Sequence, residues 1–593
     1  MSAPTVQPAP AENHSQSQSL DEKSPGKTTT EISADNSDAE DEKTEPQNGV
    51  KKIQAITSAW SWRALILTYI FIWITSYTHS MQQQMNSNLA PYVTSSFQRH
   101  GLTATTGIVA SIAGGVSQLP FAKILNVFGR MEAYILAHAL CCFGLILMAV
   151  CRNVETYAAA QYWANIFKVF WTVGSGGIGY IHTVIISDTT SIRNRMIIYT
   201  LNSTAYIANA FAGPVVAQLF VEKSSFRWAF GAFAIIFPAF GMLITGMLWW
   251  NLRKAYKIGK GPELTKSGRS IQESLVFYFK EFDVVGMLLI MFGFSLFLLP
   301  FSLVRYAAKG WVSGHIIAMI ILGVFCLVLF GLWERMYADT PLVPWKNLKD
   351  RTILGSAATA GVIALSFGTW DSYFSSYLQV VHHQSISQAG FIGNIYTIAS
   401  CTWGPIVGLL IRQTHHYKWI AMAAIPVACL STGLLIHFRT PDTYIGYVIM
   451  CQILKAVSSG TIIICEQLAV MSVVKHNEVS VMLALIGLAT SVGRSIGRAI
   501  SGAIWTNEFL DKLIKFLPDD AKNDAVTIYG DIKVQLSYAW GSPIRAGIIQ
   551  AYGAVQRHMV ICGAAFMPLA LACVFLWKNV NVSKVHQTKG QVF

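Results

Sequence analysis

Within long apolar stretches, the side chains with chemistry to offer are the few that ionise. Asp371 lies in GTWDSYFSSYL beside Trp370, Tyr373, Phe374 and Tyr377, and Glu466 lies in IIICEQLAV. Such a group costs about 2.5–3.5 kcal/mol at the centre of a membrane-spanning helix, so it normally faces a cavity or a partner. An acid among aromatic rings suits acceptance of a transported proton. A hydrated or structurally paired carboxylate is the plain alternative for Asp371; an ion pair with Lys455 or Lys475 is the plain alternative for Glu466. Lys168 and Lys455 each precede a Gly-containing run (VGSGG and SSG), and Arg494 and Arg498 stand one turn apart in VGRSIGRAI. At that spacing the two arginines share a helix face. These four cations suit an anionic substrate, and the arginines equally suit neutralisation of Glu466.

A second set of groups can only hydrogen-bond. His79, Gln82, Gln83, Gln84 and Asn86 crowd one apolar run, and Asn202, Tyr206 and Asn209 interrupt another. Lining a cavity and bonding between helices are both open to them. The pairs His382-His383 and His415-His416 have no Cys or carboxylate at ligand spacing, so no bare iron site is expected. There is no GxxxxGK[ST] loop, no cofactor loop and no nucleophile–base constellation. Neither ATP as an energy source, nor a cofactor, nor an enzyme is expected.

The elements that must position these residues are membrane helices. Of 593 residues 53% are hydrophobic and 13% charged, with mean hydropathy +0.43, against roughly 25% charge in soluble chains. Apolar runs near 63–86, 103–122, 131–150, 155–183, 196–220, 228–250, 283–303, 314–333, 353–379, 386–411, 417–437, 443–472, 478–505 and 558–577 each approach the span of about 20 residues that a bilayer needs. That makes fourteen, with both termini on one side. Placing the N-terminus in the cytosol puts 24 Lys and Arg on inner segments and seven on short outer loops, as retention of cations in the cytosol requires. The net charge of +13 is therefore topology rather than a nucleic-acid footprint. Residues 1–50 carry a net −7 and few large apolar groups, the composition of a disordered tail. Lys23, Lys27 and Lys43 there are available to ubiquitin or trafficking machinery. Ten cysteines lie mostly inside apolar runs without CxxC spacing and read as packing residues.

Two polar turns, Ala122–Arg130 (AKILNVFGR) and Gly408–Lys418 (GLLIRQTHHYK), recur 286 residues apart. They divide the chain into six helices, a two-helix insert and six more. The first turn resembles the loop motif of the major facilitator superfamily, Gly-x-x-x-Asp-x-x-Gly-Arg. Gly129 and Arg130 match, while Ala122 and Asn126 depart from it. Gly213-Pro214 resembles a motif of drug/proton antiporters. The segments AIWTNEFLDKLIKFL, YAWGSPIRAGIIQAYGAVQRHMVICGAAF and GHIIAMIILG are similar to the fungal siderophore–iron transporter family.

That resemblance implies a major facilitator fold with fourteen transmembrane helices, all-α, importing ferric siderophores by proton symport. Iron would arrive already chelated. It also implies that the outer segment 506–557 caps the mouth and captures substrate, with Tyr538, Trp540, Arg545 and Tyr552 as contacts; a belt of interfacial Trp and Tyr is the alternative. Within it, Phe509, Leu510, Leu513, Ile514 and Leu517 recur at helical spacing, so this stretch is expected to lie on the membrane surface.

The expected domains are a disordered tail over 1–58, a six-helix bundle over 59–250 and a basic linker over 251–282. A two-helix insert over 283–350, a second bundle over 351–577 and a cytosolic tail over 578–593 follow. Asp371 and Glu466 are the candidate proton-coupling acids. His79, Gln83, Lys168, Tyr206, Trp370, Tyr373, Lys455, Arg494, Arg498, Trp540, Arg545 and Tyr552 are the candidate substrate contacts. Asn126, Gly129, Arg130, Gly408 and Arg412 are the candidate gating residues. The expected partners are a ferric siderophore, protons and the lipid bilayer of a plasma or endosomal membrane. Glutathione/proton exchange, drug/proton antiport and a non-transporting siderophore receptor are the rival readings.

Overall fold

The computed structural model describes residues 48–584 apart from 96–102, 151–153, 263–269, 305–306, 308, 339, 343–346, 348 and 475–477. A short helix α1 (Asn48–Ala59) precedes the spans. The first half is α2 (Trp62–Ser95), α3 (Thr103–Val127), α4 (Arg130–Val150), α5 (Val154–Thr189), the abutting pair α6 (Ile192–Ser203) and α7 (Ala205–Lys223), and α8 (Phe226–Lys257). Next, α9 (Ile271–Glu281) meets α10 (Val284–Leu298) at a bend of 47°, and α11 (Gly314–Met336) follows. The second half is α12 (Arg351–Asp371) with α13 (Phe374–Val381), α14 (Ile386–Thr414), α15 (Lys418–Phe438), α16 (Ile445–Val473) and α17 (Val479–Phe516), then two short helices α18 (Ala525–Gly530) and α19 (Ile532–Ser537), and finally α20 (Pro543–Phe575). Thirteen described helices are long and apolar enough to cross a membrane, fourteen with the bent pair. The side where α2 begins is called the tail side below; the side carrying the α17–α20 connection is the loop side.

The ends of these helices are written in the sequence. Ser225, Ser385 and Ser542 accept backbone N–H bonds as N-caps of α8, α14 and α20, and Pro543 opens α20, where its missing N–H costs nothing. The insert α10–α11 is peripheral, since only 11% of the α11 span is buried against 61% of the α12–α13 span. It is tied to α3 by Lys123, whose Nζ donates to the carbonyls of Glu281 (2.6 Å) and Thr340 (2.7 Å). The two halves meet where α3 packs on α17 and α7 on α14. Inside the second half, Gly493 and Gly497 of α17 lie against the carbonyl oxygens of Gly361 and Leu365 on α12, leaving no room for a Cβ. Small residues let helices approach this closely in lipid.

Three boundaries differ from the sequence expectation. Residues 48–58, assigned to the disordered tail, are helical in α1; the rest of that assignment, 1–47, lies outside the described residues. Helix α17 continues to Phe516 and α20 starts at Pro543, so the loop-side connection is 517–542 rather than 506–557. Phe509, Leu513 and Leu517 do not lie on a membrane surface: they are at most 3% exposed and pack with Trp505, Tyr373, Tyr377, Ile528, Ile532 and Tyr552 in a loop-side core. The helical period marked an apolar face correctly, but its partner is protein. The basic linker over 251–282 also contains structure, the end of α8 and the amphipathic α9 with its Ser270–Glu273 capping box.

The two polar turns are each clasped by a tail segment. Gly129 turns the chain at φ 121°, a conformation that favours glycine, between α3 and α4. Lys52 of α1 donates to the Phe128 carbonyl (2.7 Å) and pairs with Glu132. In the second turn His415 takes the left-handed position (φ 58°). There the C-terminal segment does the clasping. The Val582 N–H donates to the His415 carbonyl (3.0 Å), the Tyr417 hydroxyl to the Lys578 carbonyl (2.9 Å), and Lys418 to the Trp577 carbonyl (2.6 Å).

Candidate functional site

Helix α12 carries Asp371 to the break before α13, and there the second half gathers its charge. Arg439 at the end of α15, Lys455 on α16, and Arg494 and Arg498 on α17 all act electrostatically on the Asp371 carboxylate. None of the four is in ion-pair contact with it among the described residues. The cations lean on aromatic rings instead. Lys455 Nζ stands 4.7 Å from the Trp370 ring centroid, and the Arg439 guanidinium 4.5 Å from Phe374 and 5.3 Å from Trp370. Arg494 lies 5.5 Å from Phe367, which in turn packs on Trp370 and Tyr396. Contacts of this kind stabilise a cation by about 0.5–2 kcal/mol, less than a full hydrogen-bond complement.

Several donors in this cluster have no acceptor among the described residues: Lys455 Nζ, Trp370 Nε1, and Nε and Nη1 of Arg439. Lys455, Trp370 and Arg439 are each 1% exposed. Arg439 does donate through Nη2 to the Trp370 carbonyl (3.2 Å) and to Gln556 Oε1 (2.7 Å). It lies beyond the end of α15, and burial pulls its guanidinium down to about 10, so it stays charged at neutral pH. Sequence reading placed Arg439 in an ordinary outer loop; nothing in its local pattern marks it as inward-facing. Arg498 reaches across to the first half, donating to the Gly107 carbonyl (3.0 Å) and Ser111 Oγ (2.5 Å).

Glu466 lies deeper toward the tail side on α16. It is 2% exposed, its Oε2 has no hydrogen-bond partner, and no ion pair reaches it among the described residues. The expected partner Lys455 is eleven residues away on the same helix, about 16 Å at 1.5 Å per residue, and engages Trp370 instead; Lys475 lies outside the described residues. Arg494 and Arg498 do not neutralise Glu466 either.

In the first half, His79 Nε2 and Ser175 Oγ are 2.7 Å apart, Gln83 donates to the same Oγ (3.3 Å), and the Tyr206 hydroxyl reaches Gln83 Oε1 (3.4 Å). These residues converge as the polar run implied, although their bonds are with one another. The side chain of Lys168 is outside those described. Asn209 is spent on holding α7 to α2, through the Tyr77 carbonyl (2.6 Å) and Ser80 Oγ (2.5 Å).

The loop-side residues divide. Trp540 is 54% exposed and stands 4.9 Å from the His383 ring, presenting an aromatic rim. Neighbouring His382, beyond the end of α13, is pushed down to about 4 by burial and then by Arg439, so it remains neutral across working pH. Arg545 and Tyr552 are buried rather than displayed. Arg545 binds the carbonyls of Gln535 and Val380 (the latter at 2.9 Å), and the Tyr552 hydroxyl binds Gln535 Oε1 (2.7 Å). Tyr373 stacks on Trp505 at 4.1 Å. Arg545 and Tyr552 fasten the connection to the bundle, and in these positions their polar groups face protein instead of an open mouth. Arg545→Ala is expected to destabilise the loop-side core by about 2–4 kcal/mol, because two buried carbonyls lose a charged donor. Faster limited proteolysis within 517–542 would show it; an unchanged cleavage rate would contradict it.

On the tail side, Arg130 forms a forked pair with Asp188 at the end of α5 (Nε–Oδ2 2.8 Å, Nη2–Oδ1 3.4 Å) and donates to the Leu125 carbonyl (2.9 Å). Sequence reading missed Asp188; a lone carboxylate at the tail-side end of the fourth span was the available signal. Asn126 lines a small crevice with Val50, Arg130, Asp188 and Ser480. Gly408 lets α14 approach Ile197 of α6, with its Cβ position 3.4 Å from that backbone nitrogen, while Arg412 is exposed. The halves touch at both mouths. Tyr180 donates to the Ser480 carbonyl (2.6 Å) on the tail side, and Tyr92 to Gln379 Oε1 (2.5 Å) on the loop side.

Comparison with known proteins agrees with this architecture. The family described as Major Facilitator Superfamily matches residues 72–498. The MFS siderochrome iron transporter 1 of Ajellomyces capsulatus is 43% identical over 94% of this chain and 93% of its own length. The siderophore iron transporter mirB of Emericella nidulans is 39% identical over 92% and 89%, and the siderophore iron transporter 1 of Schizosaccharomyces pombe 32% identical over 91% and 86%. Among solved structures, an auto-inhibited POT family peptide transporter superposes with TM-score 0.53 over 88% of this chain and 99% of its own at 12% identity, a likeness of fold alone.

Proposed function

Starting from a chain that belongs to the major facilitator superfamily, and within it to the fungal siderophore–iron transporters, we propose that it imports ferric siderophores across a fungal membrane by proton symport and alternating access. The observation that carries this reading is the set of buried donors without acceptors at Lys455, Trp370 and Arg439 around one carboxylate. A buried donor left unmade costs about 1–3 kcal/mol, so the site favours a ligand rich in oxygen acceptors. A ferric chelate offers such a shell, with carbonyl and metal-bound oxygens on a bulky body that aromatic rings can hold. Arg494 and Arg498, from the helix that packs on the first half, complete the cationic wall, and Trp540 gives the outer mouth an exposed aromatic surface. In this reading both termini are cytosolic, as the Lys and Arg bias requires.

A buried carboxyl group must be neutralised, by cations or by a proton. Asp371 has cations around it and serves as their counter-charge. Glu466 has none among the described residues, and we assign it the coupling proton. The arrangement is then a carrier whose two halves rock around the charged centre, with protonation of Glu466 biasing the equilibrium.

The test is uptake of iron-55 on a cyclic trihydroxamate, a linear trihydroxamate and a catecholate, in fungal cells whose only carrier is this protein. It is run at pH 5 and pH 7.5, with and without a protonophore. Accumulation on one chelate, greater at acid pH and lost with the protonophore, supports the reading. No uptake on any chelate, with the protein shown at the surface, would favour glutathione exchange or a receptor instead. Glu466→Gln is expected to cut acid-driven accumulation at least tenfold. Counterflow of labelled against unlabelled chelate, which needs no proton, should persist. Equal loss of both would assign Glu466 to structure.

A further inference from the structure

Apart from Lys168, the charged side chains of α2–α8 stand toward helix ends, and what ionises at mid-span is histidine. His79, His138 and His182 come from three helices, α2, α4 and α5, and interact electrostatically with one another. Phe237 of α8 sits between two of them, 6.2 Å from the His79 ring and 6.3 Å from His138. His182 is 2% exposed. Its Nδ1 faces Ser76 Oγ at 3.2 Å, and its Nε2 faces the Tyr134 hydroxyl at 3.2 Å and Thr75 Oγ1 at 3.4 Å. The Tyr134 ring lies 4.2 Å from His138, whose Nδ1 is 3.1 Å from the Tyr134 carbonyl oxygen.

We propose that His79, His138 and His182 form a second proton-binding site, in the half opposite Glu466, that takes up one proton as the ferric chelate binds. This deepens the symport reading and rests on it. Every side-chain partner of His182 among the described residues is a hydroxyl, which can donate or accept. The ring can therefore gain a second N–H without leaving a donor facing a donor. Histidine is also the side chain whose ordinary charge change falls between pH 5 and 8. Three rings this close repel as imidazolium ions, so the site holds one proton rather than three. His79 extends the cluster through Ser175 and Gln83 to Tyr206 on α7.

The surroundings leave the histidines as the group that titrates. From α2 come Thr75, Ser76 and Gln83, from α4 Tyr134, from α5 Ser175, from α7 Tyr206, and from α8 Phe237 and Gly241. Asp188 is six residues beyond His182, about 9 Å along the helix, and is occupied by Arg130. No cation or carboxylate on α3 faces the cluster, since its one charged residue is Lys123 near the tail-side end.

The experiment is proton uptake by the purified full chain in weakly buffered detergent with a pH indicator, on adding the ferric complex of whichever chelate the cells accumulate. His182→Gln, and separately Tyr134→Phe, should bind the chelate but take up about one proton fewer per iron than the unaltered chain. Unaltered protein that takes up no protons on binding would overturn symport itself. Protons taken up equally by all three proteins would overturn the histidine site and leave symport standing. A second measurement survives poor folding of a variant. In ring-carbon-13 histidine spectra of the unaltered full chain held at pH 6, adding the ferric chelate should move one buried resonance to the imidazolium position, and that resonance should be absent from His182→Gln or, failing that, His79→Gln. Buried histidine resonances that all stay constant on adding the chelate would overturn the proposal.

Discussion

Asp371→Asn should abolish net iron accumulation, by more than tenfold, while the protein still reaches the membrane. The carboxylate is the counter-charge of Arg439, Lys455, Arg494 and Arg498, two of which, Arg439 and Lys455, are 1% exposed. Removing it leaves four like charges facing one another. Because no cation among the described residues is in ion-pair contact with Asp371, the folding cost should resemble that of one unpaired buried group, about 1–3 kcal/mol. It should fall short of the larger loss seen when a contacting pair is broken. The effect on transport is greater, since a centre with surplus positive charge holds an anionic or acceptor-rich chelate too firmly to release it. Adding Lys455→Met restores one unit of balance and should recover thermal stability without recovering transport, because in the proposed site Lys455 is also a donor to the ligand. Thermal unfolding of detergent-purified protein and iron-55 uptake measured side by side separate the two. Full acid-driven uptake by the single variant would remove Asp371 from the site.

The second large effect is expected at Arg130. The forked pair with Asp188 is buried, at 6% and 5% side-chain exposure, and truncating one partner of such a pair costs about 3–5 kcal/mol. Arg130→Ala should therefore lower the unfolding temperature by several degrees and abolish uptake. Arg130→Lys keeps the charge but loses the planar fork, and should show an intermediate loss. The informative variant is the double Arg130→Met, Asp188→Leu. Replacing both partners with apolar groups of similar volume is often neutral for stability, so a stable but inactive double variant would assign the pair to gating. A stable, fully active one would make it structural only. The superfamily-like turn lacks a carboxylate at Asn126, and the structure shows its arginine satisfied from elsewhere, by Asp188 of α5.

Most of the fold was legible. A span needs about 20 apolar residues with every backbone group bonded internally, so hydropathy alone counted fourteen, and the paired polar turns divided them. The boundaries that moved did so because apolar periodicity says that a face is buried without saying against what. Phe509, Leu513 and Leu517 met a protein core where a membrane surface was expected. Of the site, Asp371, Lys455, Arg494 and Arg498 were marked because ionisable groups are costly in lipid. Arg439 was not marked, since an arginine just past a helix end looks like any solvated loop residue. Arg545 and Tyr552 had the right chemistry for capture, and only their burial shows that they hold the connection in place.

By itself the sequence determined that this chain spans a membrane many times in two related halves, with acids and cations too costly to face lipid. Those conclusions depend on single residues and their immediate neighbours. Tertiary structure alone decided which charges share a space: Arg439 with Lys455 beneath Trp370, Asp188 with Arg130, and His182 with His79 and His138. Electrostatic and hydrogen-bond energies depend on distances of a few ångströms. Between residues dozens of positions apart, those distances are set by how the helices pack.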